Sequence, residues 1–280
     1  MTVKSTILSI ITINLNNATG LIKTLESVVN QNFTDFEYII IDGGSIDGSV
    51  ELIKEYAKKI SFWMTEPDKG IYNAMNKGIL KATGEYCLFL NSGDWLVDEN
   101  VVFDFIKHTY SEDIVAGNIH TIDESGNYKI YESPNDLTLD FFYFANLPHQ
   151  ATFIKRELFQ KFGLYDEDYK ILSDTDFIIR ALSCPGCSYK HFDRVVSHFD
   201  TNGISSQQSL NEIAKDERES ILNKSPLIHR SFKKILTENT ILNSHEKEYH
   251  EYLNLKNGKA GFIIRFLLYI KKIRKYTSDH

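Results

Sequence analysis

The segment Tyr38-Ile39-Ile40-Ile41-Asp42-Gly43-Gly44-Ser45-Ile46-Asp47-Gly48-Ser49 constrains this chain more than any other. An unbroken apolar run of this kind fits a strand buried on both faces, and such strands belong to parallel sheets covered by helices on either side. The run passes directly into a glycine-rich turn that carries a carboxylate. In an open α/β sheet the carboxyl ends of the strands are where a ligand is held. The segment therefore predicts both an architecture and the sheet edge where chemistry takes place.

The flanking sequence repeats the pattern. Ile7 to Ile13 is mostly β-branched or leucine and reads as a central strand. A helix follows, with Leu21, Leu25, Val28 and Val29 at helical spacing and Asn17 or Thr19 placed to cap it. Phe36 to Ile41 is the second strand, and Ser49 to Ala57 the second helix, with Val50, Ile53 and Tyr56 or Ala57 facing inward. Ser61 to Met64 is a short third strand, Gly70 to Lys81 a helix carrying Ile71, Ala74, Met75 and Ile79, and Glu85 to Leu90 a fourth strand ending at Asn91-Ser92-Gly93-Asp94. This β-α-β-α alternation predicts an α/β fold with a mostly parallel sheet flanked by helices.

Beyond it the alternation becomes irregular. Val101 to His108 reads as helical, Asp113 to Gly117 as a strand, and Ile119 to Tyr131 as a hairpin about Glu124-Ser125-Gly126-Asn127. Lys155 to Phe162 reads as a short helix closed by Gly163, and another helix starts near Ser173-Asp174-Thr175-Asp176. After Gly203 the sequence turns helical and charged. The expected organisation is one large domain over 1–205, its two halves meeting near 117/118, followed by a helical extension over 206–280.

With 280 residues, 42% of them hydrophobic, the chain can bury the core of one large domain and carry a tail. A formal charge of -7, without zinc-finger spacing or an RNA-binding aromatic signature, argues against a nucleic-acid partner. Asn14, Asn16 and Asn17 interrupt the N-terminal apolar run before a secretory segment could form, and no apolar stretch is long enough to span a bilayer. Three cysteines fit a reducing cytoplasm. Cys184-Pro185-Gly186-Cys187, followed by His191 and His198, has redox or half-zinc spacing; with no second cysteine pair, a Pro-Gly turn between a helix and a strand is the simpler reading.

Asp42, Asp68 and Asp94 stand at the carboxyl ends of expected parallel strands or just beyond them, so their side chains should converge on one crevice. Taken singly, each equally fits the cap of a turn or helix. Five segments in order, Ile10 to Asn14, Ile41 to Ser49, Glu66 to Gly78, Leu90 to Asp94 and Ser173 to Asp176, resemble the family 2 glycosyltransferases of the GT-A fold, which move a sugar from a nucleotide sugar with inversion at the anomeric carbon. The resemblance spans roughly residues 7 to 180. It implies that Thr12 and Asn14 line the nucleotide pocket and that Asp42 accepts hydrogen bonds from the base, typically uracil. It also implies that Asp68-Lys69-Gly70 closes over base and ribose, with Lys69 near the diphosphate and Asn76 and Lys77 supporting that wall. For both lysines a solvated surface role is the alternative.

By the same resemblance, Asn91-Ser92-Gly93-Asp94 occupies the place of the metal-binding acidic motif, where a hard cation, Mn2+ or Mg2+, neutralises the leaving nucleoside diphosphate. This sequence departs from the commoner pattern: Asn91 and Gly93 stand where carboxylates are frequent, and Asp94 alone keeps a charge. Asp174 matches the general base that takes the acceptor proton, with a helix N-cap as its alternative. Asp176 is expected to cap or pair structurally. His149 contacts acceptor or donor sugar, or packs structurally. His198 completes the metal shell or serves elsewhere.

Residues 255–276 contain no acidic side chain, and Phe262, Ile263, Phe266, Leu267, Tyr269, Ile270 and Ile273 give a broad apolar face beside Lys271, Lys272, Arg274 and Lys275. Such a helix either lies on an anionic cytoplasmic leaflet or packs on the catalytic domain or a second copy of the chain. The expected function is an inverting transferase that moves a sugar from a nucleoside diphosphate sugar, UDP-linked, to a saccharide or lipid-linked acceptor in cell-surface polysaccharide biosynthesis. It is expected in the cytoplasm or peripherally on the inner membrane face. The alternative is a catalytically silent nucleotide-sugar binder or membrane scaffold. A nicotinamide enzyme is disfavoured because Asn14-Leu15-Asn16-Asn17-Ala18 lacks the glycines that let a backbone approach pyrophosphate.

Overall fold

A computed structural model of the chain describes residues 6–122, 128–200 and 211–224. Strands β1 (Leu8–Asn14), β2 (Glu37–Asp42), β3 (Phe62–Thr65) and β4 (Tyr86–Phe89) lie side by side in the order β3-β2-β1-β4, all parallel. Helices α1 (Ala18–Val29), α2 (Ser49–Glu55) and α3 (Ile71–Lys81) make the crossovers.

Successive strand residues enter opposite apolar layers, which is why these strands read as unbroken hydrophobic runs. Ile11, Ile13, Ile39 and Ile41 join Met75 and Ile79 of α3 on one side. Leu8, Ile10, Tyr38 and Ile40 join Leu21 and Leu25 of α1 and Ile53 of α2 on the other. Each such isoleucine or leucine contributes about 1.5–3 kcal/mol by leaving water. Helix α3 comes closest to the sheet at Gly78, where an added Cβ would lie 2.4 Å from Ile11 Cγ2.

After the short strand β5 (Trp95–Leu96) and α4 (Val101–Lys107), the sheet is extended by β6 (Ile114–Ile122), β7 (Tyr128–Tyr131), β8 (Thr152–Lys155) and β9 (Tyr189–Asp200). The order continues β4-β8-β6-β9-β5, with β8 antiparallel to both β4 and β6, β9 parallel to β6, and β5 antiparallel to β9. The expected strand near 113–117 and the first arm of the hairpin are one element, β6, which also pairs with β7 from Ile119↔Tyr131 to Ile122↔Tyr128. The expected division between halves at 117/118 therefore falls inside a strand. Helices α5 (Arg156–Phe162) and α6 (Ser173–Leu182) cover the same face as α3. Gly163 closes α5 at φ 83°, and Gly186, at φ 91°, lies in the turn between α6 and β9 while Cys184 and Cys187 remain free thiols.

Helix α7 (Asn211–Lys224) buries Ile221 and Leu222 in that same layer. Helix α7, which the expected boundary near 206 assigns to the extension, packs on the same core as α3, α5 and α6. No helix among the described residues is long and apolar enough to cross a membrane. The basic segment 255–276, the hairpin turn 124–127 and Gly203-Ile204-Ser205 lie outside the described residues.

Candidate active site

Parallel register aligns Asn14 with Asp42 and Asp42 with Thr65 at the carboxyl ends of β1, β2 and β3. Asp42 is fully buried, and both of its oxygens are engaged. Oδ1 accepts from Asn14 Nδ2 (2.8 Å) and Ser45 Oγ (2.6 Å), and Oδ2 accepts from Gly44 N (3.1 Å), Ser45 N (2.9 Å) and Thr65 Oγ1 (2.6 Å). Burial pushes its carboxyl upward, but the hydrogen bonds from Ser45, Thr65 and Asn14 outweigh this and hold it below the usual carboxylate range. In this structure those donors occupy Asp42, and it organises the turn after β2. Asn14 keeps a buried Oδ1 without a protein partner, an acceptor at the same strand edge.

Thr12 and Asn76 likewise have partners within the protein. Thr12 is fully buried, its Oγ1 3.2 Å from Tyr38 Oη inside the sheet layer. Asn76 on α3 donates from Nδ2 to Tyr165 O (2.9 Å) and Glu167 Oε1 (3.0 Å) and accepts from Tyr165 N at 3.0 Å, so its amide fastens α3 to the segment before α6. Asp68 does reach the site edge. An added Cβ on Gly43 would lie 2.3 Å from Asp68 Oδ2, so this carboxylate fills the space that a side chain at position 43 would take. Its Oδ1 accepts from Gly70 N (2.9 Å). Lys69 is exposed, while Lys77 pairs with Glu66 (2.8 Å) and donates to Pro67 O (3.3 Å), bracing the turn as expected of a supporting residue.

The 91–94 turn is built on α1. Asn17 caps that helix through Oδ1 to Gly20 N (3.0 Å) and donates from Nδ2 to Ser92 O (2.9 Å). Thr24 Oγ1 is 2.6 Å from Asp94 O, which it donates to, and accepts from Gly93 N at 3.0 Å. Gly93 has φ 109°, a conformation side chains disfavour. Thr24 was not foreseen, because a buried threonine on a helix carries no sequence signal for a loop 70 residues away. Asp94 is 6% exposed, and Asn91 retains a buried Oδ1 without a protein partner.

Asp174 stands in the first turn of α6 but is not its cap, since the N-cap position is Leu172. Its Oδ1 accepts from Thr175 N (2.7 Å) and lies 3.4 Å from Tyr72 Oη, and its Oδ2 faces His149 Nδ1 at 3.3 Å. His149 Nε2 lies 3.1 Å from Asn91 Nδ2. A chain of polar contacts thus runs Asp174–His149–Asn91 into the turn that bears Asp94. Phe142, Leu147, Ile154 and Tyr165 wall the cavity beside Asp174 and His149. Asp176 pairs with Arg180 (2.7 Å), the structural role expected.

Burial disfavours the charged imidazole of His149, yet the hydrogen bond and charge of Asp174, with Asp94 adding to them, lift its pKa above the ordinary value. A raised folded-state pKa means that the pair's contribution is complete below the unfolded histidine value of about 6.5 and is lost as pH rises through the folded value. His149→Gln is therefore expected to cost about 1 kcal/mol more near pH 6 than near pH 9, as read from urea unfolding at both pH values. An equal cost at the two would show the imidazole to be neutral throughout.

His198 lies opposite Trp95 in the β5–β9 pairing and stacks on it, ring centroids 4.9 Å apart. His120 and Tyr128 complete that aromatic group. Burial, with His120 nearby, lowers its pKa, which favours the neutral ring. Among the described residues no three His, Cys, Asp or Glu side chains converge on one ion position, so His198 is not brought into a protein-only metal shell with Asp94. The donor set of the turn, one buried carboxylate and one unpartnered amide oxygen, nevertheless fits a hard cation that takes its remaining ligands from phosphate and water.

A parallel strand block with polar side chains gathered at its carboxyl edge, followed by antiparallel additions, is the arrangement of the GT-A fold. Solved structures share this architecture. S. aureus TarS 1-349 in complex with UDP-GlcNAc superposes with a TM-score of 0.63 at 17% identity, over 81% of this chain and 73% of that one. The mannosyltransferase PcManGT from Pyrobaculum calidifontis, in complex with GDP-Man and Mn2+, gives 0.54 at 14% identity, over 91% and 82%.

In sequence, residues 9–173 match the model of Glycosyl transferase family 2. A PGL/p-HBAD biosynthesis glycosyltransferase of Mycobacterium bovis is 34% identical over 201 residues, which is 70% of this chain and 77% of that protein. An uncharacterized glycosyltransferase of Mycobacterium tuberculosis is 33% identical over 217 residues, 75% and 81% respectively. The chain belongs to glycosyl transferase family 2, and it is a glycosyltransferase.

Proposed function

We propose that this protein is an inverting transferase that moves a sugar from a UDP-sugar to a saccharide or lipid-linked acceptor in the synthesis of a cell-surface polysaccharide, working on the cytoplasmic side of the membrane. The observation that carries this reading is the Asp174–His149–Asn91 chain, which links a candidate base to the turn expected to hold the leaving diphosphate. Asp174 takes the proton of the acceptor hydroxyl. As it does so, that oxygen bonds to the anomeric carbon and the bond from this carbon to the diphosphate oxygen breaks with its electron pair. His149, held between Asp174 and Asn91, fixes the orientation of the carboxylate.

Asp94, with Asn91 Oδ1 beside it in the turn, would hold Mn2+ or Mg2+; the ion, when bound, supplies positive charge against the leaving diphosphate. Asp68, at the turn facing Gly43, and the free Oδ1 of Asn14 are the groups assigned to the nucleotide. UDP is favoured as the leaving nucleotide because the TarS structures that share the fold contain UDP and UDP-GlcNAc. The membrane-facing location rests on the basic segment 255–276 and on an acceptor carried by lipid.

The test is UDP release and product formation across a panel of UDP-sugars, with and without Mn2+, for the wild-type chain and Asp94→Ala. The wild type is expected to consume one donor in a metal-dependent manner, and Asp94→Ala to lose that metal-dependent activity. Metal-dependent UDP binding with no donor consumed in the presence of candidate acceptors would favour a silent binder and overturn the proposal.

A further inference from the structure

Helix α7 lies beyond the matched family segment at 9–173, yet one of its side chains is spent on the backbone that leads into the candidate base. Glu217 Oε1 accepts from Lys170 N (2.6 Å), and its Oε2 accepts from both Ile171 N (3.0 Å) and Leu172 N (2.9 Å). The carbonyl of Ile171 is engaged in turn by Tyr72 Oη at 2.5 Å. The peptide units just ahead of α6 are thereby gripped from α7 on one side and from α3 on the other.

The N-cap position Leu172 has no side chain with which to cap α6, so the helix start draws its fixed geometry from outside its own sequence. The next residue on α7, Arg218, donates to Phe142 O (2.5 Å) and Ala145 O (3.4 Å), and so ties down the facing wall of the cavity in which Asp174 sits. Ile221 and Leu222 already seat α7 on the core through apolar burial. A carboxylate committed to three successive amides goes beyond what that packing requires.

We propose that Glu217 is a positioning residue for sugar transfer: it holds residues 170–172, and through them the first turn of α6, in the arrangement that presents Asp174 to the acceptor hydroxyl. This rests on Asp174 being the base. A base displaced by a fraction of an ångström remains chemically competent but out of line, and such misplacement lowers the rate by up to about 100-fold without touching the donor pocket.

The experiment is a double-mutant cycle in the full-length chain, Glu217→Ala with Asp174→Asn, under single-turnover conditions, with donor affinity measured by calorimetry and folding checked by amide exchange. Glu217→Ala is expected to lower the transfer rate about 10- to 100-fold, leave donor Kd within about 2-fold, and accelerate exchange of the amides of 170–172 only. On the Asp174→Asn background the same change is expected to cost nothing further, because two residues that act as a unit are not additive.

Glu217→Gln, which keeps one accepting oxygen, is expected to retain more activity than Glu217→Ala and serves in the cycle if the alanine variant does not fold. A folded Glu217 variant with wild-type rate would overturn the proposal. So would an equal loss on both backgrounds, since that is the behaviour of a residue that only stabilises the fold. Wild-type rate in Asp174→Asn alone would instead sink the base assignment, an outcome separate from either.

Discussion

Asp174→Asn is expected to slow sugar transfer by roughly 10²- to 10⁴-fold, the range that a positioned general base contributes, while leaving donor affinity unchanged. The amide has the shape of the carboxylate and cannot take a proton. Its carbonyl can still accept from Thr175 N, as Asp174 Oδ1 does at 2.7 Å. Its amino group would face His149 Nδ1, which accepts once the imidazole carries its proton on Nε2. The network can therefore be satisfied again without the negative charge, so the variant should fold and bind donor. Acceptor-dependent product formation, measured beside calorimetric donor binding, checks this. A rate within about 3-fold of wild type would remove Asp174 from the chemistry.

Asp42→Ala is expected to destabilise the fold by about 3–5 kcal/mol and with it to abolish donor binding. The change removes the acceptor shared by Gly44 N, Ser45 N and Thr65 Oγ1 at the part-buried turn after β2, and a donor left unsatisfied there costs up to about 1–3 kcal/mol. Asn14 loses the partner that aims its side chain, although it keeps Ser45 Oγ at 3.1 Å. Because the folded-state carboxyl lies below its ordinary value, this stabilisation is complete above the unfolded value of about 3.9 and disappears only as pH falls through the folded one. The gap between wild type and variant should therefore be constant from pH 6 to pH 8 and narrow in strong acid. Urea unfolding at those pH values measures it. A gap under about 1 kcal/mol at pH 7 would mean that the turn after β2 holds itself without the carboxylate.

The two residues carry different lessons about what could be read in advance. Asp42 is legible as the carboxylate at the end of a buried strand, but the bonds it makes are not. They depend on donors arriving from Asn14, 28 residues earlier, and Thr65, 23 residues later. Asp174 was legible only through the family resemblance, since composition and periodicity there equally allow a helix cap. The structure removes that alternative by placing Leu172 at the cap. The place of Asn76 on α3 is legible from helical spacing, but its partners at Tyr165 and Glu167 are not, because spacing fixes a face and not what lies against it.

The same limit applies to the strands. β1, β2 and β4 declare themselves because both faces are buried, which demands apolar residues at every position. β9 does not, because Lys190, Asp193 and Arg194 break its apolar pattern, and Arg194 pairs with Asp98 (2.7 Å), just before α4, and Asp104 (2.9 Å), on α4 itself.

The parallel half of the sheet, the crossover helices and the turns where chemistry could sit are written in consecutive residues, because local burial and backbone preference act there. Packing of distant segments settles the rest: which carboxylates are engaged within the protein, that His149 joins Asp174 to Asn91, and that a glutamate on α7 grips the approach to α6. Those are hydrogen bonds between segments dozens of residues apart, and their partners are fixed by how the layers pack rather than by any pattern along the chain.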